Sequence, residues 1–177
     1  AADNGTTTST TRYFYDGANC IVEADFNLTT TAAYVHGIEM ISKRDSAGTM
    51  YYLYDAIGNT MATIDSSGNV ITRYTYDVFG SVRSETGGDL SRNKNKFVGG
   101  HGIIDDSSDD GLIYMRARYQ DPEVGRFISR DPIRHIPDYI YCNNNSNTYI
   151  DVFGTTEENV KRWTRWNYER VKKISNK

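Results

Sequence analysis

The sequence predicts an all-β fold, a broad sheet of antiparallel hairpins, followed by one C-terminal α-helix. Three observations predict it. The first is composition. Hydrophobic residues make up 38% of the 177, too few for one large aliphatic core, yet aromatics reach 12% and 14 of them are tyrosines. Disordered chains are poor in aromatics, so a sheet with tyrosine faces fits better. The second is a recurring motif. "RYFYDGAN", "YYLYDAIGNT" and "RYTYDVFGSV" each place a Tyr-Asp pair shortly before a glycine, and "AAYVHGIEM" is a degenerate copy. With Tyr13, Tyr34, Tyr52 and Tyr74 as register marks, the steps are 21, 18 and 22 residues, the length of a strand-turn-strand unit. The third is alternation: "YLY" and "YTY" put two tyrosines on one strand face.

The elements follow in order. Residues 1–11 are rich in Thr, Gly and Asn and read as a loose, flexible lead-in. Residues 12–100 hold the repeats. In each unit the Asp opens a turn with its side chain and the Gly supplies a positive φ. In "IDSSGNVITRYTYD" the turn is Ser66 to Asn69, with Val70, Thr72 and Tyr74 on one face and Ile71, Arg73 and Thr75 on the other. One hairpin is marginal in water, whereas neighbours cover each other's edges. "SETGGDLSRNKNK" (84–96) is a polar loop. "DDSSDDG" within 102–111 lacks the alternating ligands and closing Glu of a calcium loop and reads as a solvated turn.

The stretch "GLIYMRARYQDPEVGRFISRDP" (111–132) is the densest. Read as one strand, its first half puts Ile113, Met115, Ala117 and Tyr119 on one face and Leu112, Tyr114, Arg116 and Arg118 on the other. "DPEVG" is a turn, and Arg126, Ile128 and Arg130 share a face of the returning segment. The four arginines either cap strand edges, pairing with turn aspartates such as Asp121, or bind an anion. After Gly154 the character changes. Residues 155–177 carry seven basic and three acidic residues, net +4. Thr155 and Glu158 match a capping box, and Val160, Trp163, Val171 and Ile174 form an apolar stripe, so a cationic amphipathic helix is expected over 155–177.

Charge and motif content exclude several functions. The net charge is −3, which does not indicate a bulk nucleic-acid binder. No run of 18 apolar residues is present, and no signal peptide is visible. The three histidines are isolated, and no metal or cofactor site is indicated. Cys20 and Cys142 either pair across the fold or remain free thiols. Ser129 with His135, and Cys142 with His135, lack any supporting third member.

The "YxYDxxGN" units, followed by "GLIYMRARYQDPEVGRFISRDPI" and "YIYCNNNSNTYIDVFG", resemble the C-terminal end of RHS/YD-repeat proteins over residues 12–154. The resemblance implies that 12–100 is a segment of a spiral β-shell and that 101–154 is the RHS-associated core that plugs the shell's end. Bacterial members often hold a variable C-terminal toxin inside the shell and cut themselves between core and toxin. Animal relatives, the teneurins, use a similar shell in adhesion. The implied partners are the rest of a larger shell or stacked subunits, with a C-terminal toxin as cargo. The implied location is the outside of a bacterial cell, secreted or on its surface.

In the cleaving members two aspartates in DPxG-like motifs resemble an aspartic-protease pair, in which one carboxyl keeps a proton and the other activates water. The matching residues are Asp131 and Asp151, twenty positions apart, and cleavage would fall after Gly154, at Thr155. Arg134 stands where that pattern has Gly, and Val152 where it has Pro. The two aspartates are therefore either turn formers at strand ends or a self-cleaving pair. The resulting reading is a structural shell segment of a secreted RHS-type toxin, which cuts itself after the core if the two aspartates act as a pair. The alternative is a cell-surface interaction module that binds glycans or protein, or assembles through its sheet edges, without proteolysis. Residues 155–177 are then a docked helix, a toxin stub or a membrane-surface helix.

Overall fold

The computed structural model describes residues 10–106, 111–133, 138–155 and 158–159. Eight strands form the first sheet: β1 (Arg12–Asp16), β2 (Asn19–Ala24), β3 (Thr30–His36), β4 (Met40–Asp45), β5 (Gly48–Tyr54), β6 (Thr60–Ile64), β7 (Val70–Tyr76) and β8 (Val82–Gly87). Each is antiparallel to the next, and their order in the sheet is their order in the chain. Such a meander needs only short loops, which keeps the entropy of loop closure low. A second sheet contains β9 (Ile104–Asp106), β10 (Leu112–Met115), β11 (Arg118–Asp121) and β12 (Arg126–Phe127), ordered β12-β11-β10-β9. A third is the pair β13 (Tyr149–Ile150) and β14 (Glu158–Asn159).

The repeat turns share one construction. The Asp55 carboxylate accepts the N–H groups of Ile57 at 3.0 Å and Asn59 at 2.9 Å. Asp65 does the same for Ser67 and Asn69 at 2.8 and 2.9 Å, and Asp77 for Phe79 and Ser81 at 2.9 and 3.0 Å. In each, the glycine N–H returns to the aspartate's own carbonyl. Asp25 builds the same turn, taking Asn27 and Thr29 at 2.8 Å, with Leu28 at φ +65° in place of the glycine. Asp77→Ala removes one acceptor from two backbone donors and is expected to cost about 1–3 kcal/mol. A urea midpoint equal to that of the unsubstituted chain would contradict this.

The inner face of the sheet carries the tyrosines. Tyr52 stacks on Tyr54 with centroids 5.9 Å apart, and Tyr74 on Tyr76 at 6.4 Å. Tyr54 and Tyr76 donate their hydroxyls to the carbonyls of Met40 and Thr60, at 2.8 and 2.7 Å. Lys43 and Lys96 lie over the rings of Tyr34 and Tyr74. The segment after β8 folds back over this face. Arg92 forks onto Asp45, and Lys96 bridges Glu85 and Asp105, both at 3.1 Å. The main core gathers Phe97, Val98, Ile103, Ile113, Met115, Phe127, Tyr141, Cys142, Ile150 and Val152. Tyr76 of β7 packs against it, as do Ile57 and Phe79 of two repeat turns, so these turns are docking points for the second half of the chain.

His101 sits under one of these turns, so close that a Cβ on Gly58 would lie 2.7 Å from its Nε2. Burial, and then the Arg116 charge, push its imidazole down to about 4. An unfolded histidine titrates near 6.5, so between these values the unfolded chain binds the extra proton. The stabilisation is therefore complete above about pH 6.5 and is lost as pH falls toward 4, by up to about 3 kcal/mol. His101→Gln is expected to abolish this part of the acid sensitivity. Urea midpoints of the two chains should converge between pH 7 and pH 4.5.

The expected α-helix over 155–177 is not formed at its start. Glu158 and Asn159 are extended and pair with Ile150 and Tyr149. A strand already present at β13 offers backbone partners there, which overrides the capping pattern. The remainder of that segment, with Trp163, lies outside the described residues. So do residues 1–9 of the lead-in and 107–110 of the Asp-rich loop.

Candidate active site

The stretch 111–132 does not run as one strand. Arg116 and Ala117 form a two-residue turn between β10 and β11, with Arg116 at φ +59°. Arginine has no intrinsic preference for this region. It is held there by its own guanidinium, which donates to the carbonyls of Val152, His101 and Ala18 and stacks over Phe153. The turn reverses the register: Met115 pairs with Arg118 and Ile113 with Gln120. Arg118 therefore joins the buried face beside Met115, not the face of Leu112 and Tyr114. This corrects the expectation that four arginines share one face or pair with Asp121. Arg130 instead meets Asp138 on the surface, and Asp121 caps its own turn through Glu123 and Val124.

Buried in this way, Arg118 gathers three segments of chain, at 127–131, 138 and 151–154. Its Nε donates to the carbonyl of Gly154 at 2.5 Å, and its Nη1 to that of Asp138 at 3.0 Å. Its Nη2 lies 3.2 Å from Oδ2 of Asp131 and 3.3 Å from Oδ2 of Asp151. The guanidinium carbon sits 3.5 Å above the Phe127 ring centre. The side chains of Arg118, Asp131 and Asp151 keep only 4%, 5% and 4% exposure, so their mutual attraction is weakly screened. The two aspartates are thus brought to one nitrogen. Each also serves as a turn former: Asp131 Oδ1 accepts from Ile133 N–H at 2.7 Å, and Asp151 Oδ1 from Thr155 N–H at 3.0 Å.

The Gly154–Thr155 peptide is consequently held from both sides, its carbonyl by Arg118 and its N–H by Asp151. Gly154 has φ +66°, and a Cβ there would stand 2.3 Å from the Met115 carbonyl oxygen. Val152, which replaces the proline of the motif, is buried in the main core, and its carbonyl takes the Arg116 bond that a proline carbonyl would also take. Arg134 and His135 lie outside the described residues. Tyr141 is wholly buried nearby, and burial, reinforced by Cys142 and Asp151, raises its phenol well above the ordinary range. Cys142 lies in the core and Cys20 elsewhere, and no disulfide joins them. Arg118 is the residue between the two aspartates, a place that the sequence did not give it. Its signal was the short "RAR" spacing, legible only once the turn at Arg116 is known.

The fold matches the TcdB2–TccC3 crystal structure with a TM-score of 0.64 and 20% identity, over 86% of this chain and 8% of that one. It matches the Tc holotoxin pore of Photorhabdus luminescens with the same scores and coverage. In sequence the chain is 31% identical over 156 residues to the tRNA3(Ser)-specific nuclease WapA of Bacillus spizizenii, covering 81% of this chain and 6% of that protein. It is 30% identical over 156 residues to the tRNA nuclease WapA of Bacillus subtilis strain 168, with the same coverage. It is also 32% identical over 95 residues to the double-stranded DNA deaminase toxin A of Burkholderia cenocepacia, covering 52% of this chain and 6% of that protein. The chain thus spans less than a tenth of the length of each. No family model matches it. The likenesses in sequence and in fold support an RHS-type protein.

Proposed function

We propose that this chain is the C-terminal shell segment of a secreted RHS-type polymorphic toxin, and that it cuts itself between Gly154 and Thr155. The relatives support a toxin-related role: they are nucleases and a deaminase toxin by name, and the fold recurs in Tc toxin complexes. Their activities reside in proteins of which this chain matches 6%, so the shell role, not a nuclease or deaminase role, is assigned here. Residues 12–100 form the repeat wall, 101–154 the closing core, and the chain from Thr155 onward the start of the cargo. Partners are the preceding repeats of a larger shell and that cargo, and the setting is extracellular or at the bacterial surface.

One observation carries the cleavage reading: Asp131 and Asp151 meet at Arg118, beside a peptide bond whose carbonyl is held by Arg118 and whose N–H is held by Asp151. In a pair of this kind one carboxylate takes a proton from water while the departing amine gains one. Asp151 already holds the N–H of Thr155, where that proton must arrive. The test is intact mass of a precursor extending past Thr155. The unsubstituted chain is expected to yield a fragment ending at Gly154, and Asp131→Asn to remain whole. Undiminished cleavage in Asp131→Asn would end this reading.

A further inference from the structure

We infer that the cleavage site reads the chain beyond the cut through its main chain: residues 158 and 159 are brought into place by pairing as a strand with β13, their side chains are free to vary, and proline is excluded. The inference rests on the self-cleavage reading above and deepens it, by naming what that site accepts on its downstream side. β13 and β14 pair antiparallel, Tyr149 with Asn159 and Ile150 with Glu158. Residues 151–157 join these strands, so the Gly154–Thr155 bond lies in the connection of a hairpin. Asp151 follows β13 directly, and its Oδ1 accepts the Thr155 N–H at 3.0 Å. The ladder and this bond together hold the two sides of the connection against each other.

The two sides are held by different means. On the upstream side, Ile150 and Val152 are buried in the main core, and the Phe153 carbonyl accepts the Ala117 N–H at 3.2 Å. A new sequence there would lose core packing. The downstream side is anchored through main-chain groups, the Thr155 N–H and the strand of Glu158 and Asn159. Every residue but proline carries the N–H that a ladder needs, and strand addition of this kind draws its affinity from the backbone. Opposed residues in an antiparallel pair alternate between bonded and unbonded, so one of positions 158 and 159 supplies the ladder's N–H. The reaction itself is the hydrolysis proposed above. The water oxygen bonds to the Gly154 carbonyl carbon, the bond from that carbon to the Thr155 nitrogen breaks, and one water proton ends on the nitrogen. A carboxyl at Gly154 and an amine at Thr155 result. The pairing sets where the Thr155 nitrogen stands, and a misplacement of ~1 Å in such a site slows reaction about 10²-fold.

The test follows the cleavage rate by intact mass in a precursor extending past Thr155. Glu158→Pro with Asn159→Pro removes the ladder donor whichever position supplies it. With its circular dichroism unchanged, this chain is expected to cleave about 10²-fold more slowly. Glu158→Thr with Asn159→Val changes both side chains but keeps strand formers, and it is expected to cleave at the unsubstituted rate. A folded Glu158→Pro, Asn159→Pro chain that cleaves at the unsubstituted rate would overturn the inference. So would a Glu158→Thr, Asn159→Val chain slowed to the same extent as the proline-substituted one. Should the proline substitutions prevent folding, amide exchange in uncleaved Asp131→Asn decides. One of the Glu158 and Asn159 N–H groups should exchange more slowly than in urea, and exchange of both at the unfolded rate would overturn the inference. Loss of cleavage in Asp131→Asn with full activity in Glu158→Pro, Asn159→Pro removes only the role of the ladder. Continued cleavage in Asp131→Asn removes the underlying reading itself.

Discussion

Arg118→Met is expected to destabilise the folded chain by about 3–5 kcal/mol, because it leaves buried carboxylates without their cation. Asp131 and Asp151 share one guanidinium nitrogen at 3.2 and 3.3 Å, and neither side chain has appreciable access to water. The loss extends beyond charge. The same guanidinium ties Asp138 and Gly154 into one cluster and covers Phe127. The triple variant Arg118→Met, Asp131→Asn, Asp151→Asn is expected to recover most of the loss, since it removes cation and anions together. Urea unfolding of the three chains makes the comparison. A single variant within about 1 kcal/mol of the unsubstituted protein would show that the trio is solvated in solution.

Gly154→Ala is expected to be nearly as damaging, and for a different reason. The left-handed backbone alone costs an alanine about 1 kcal/mol. Here the added Cβ would also stand 2.3 Å from the Met115 carbonyl oxygen and 3.1 Å from the Arg118 nitrogen, both backbone atoms that cannot swing aside. The chain at 154 must move, which breaks the contacts of Gly154 with Arg118 and of Thr155 with Asp151. We expect a cost above about 2 kcal/mol and loss of cleavage. Gly68→Ala is the control, with φ +84° and nothing within 4 Å of the new Cβ. It should show only the backbone cost in a thermal melt. Equal melting shifts for the two variants would refute the steric argument.

The repeats were legible because their determinants are local. The Asp and the Gly act within five residues, and the tyrosines alternate in step with the pleat. The turn at Asp25 escaped notice because Leu28 occupies the glycine position. The hairpin at 111–121 was misread as one strand for a physical reason. "RA" carries no turn residue, and Arg116 holds its positive φ only through carbonyls contributed by residues 18, 101 and 152. That single turn inverts the faces and places Arg118 in the core. The pair Asp131 and Asp151 was legible through its resemblance to a known motif, but the cation between them was not. The expected start of a helix at Thr155 failed because β13 captured Glu158 and Asn159 as strand partners.

The aspartate turns have a consequence for how such a protein changes size. Each closes on one carboxylate and two nearby amides, with its fold complete inside a single unit. Duplicating or deleting a whole unit therefore leaves every other corner intact, and the new neighbours meet through backbone bonds that any strand can supply. Growth by copying needs no compensating substitution. The repeat sheet can lengthen or shorten over evolutionary time while the arginine-held end stays the same.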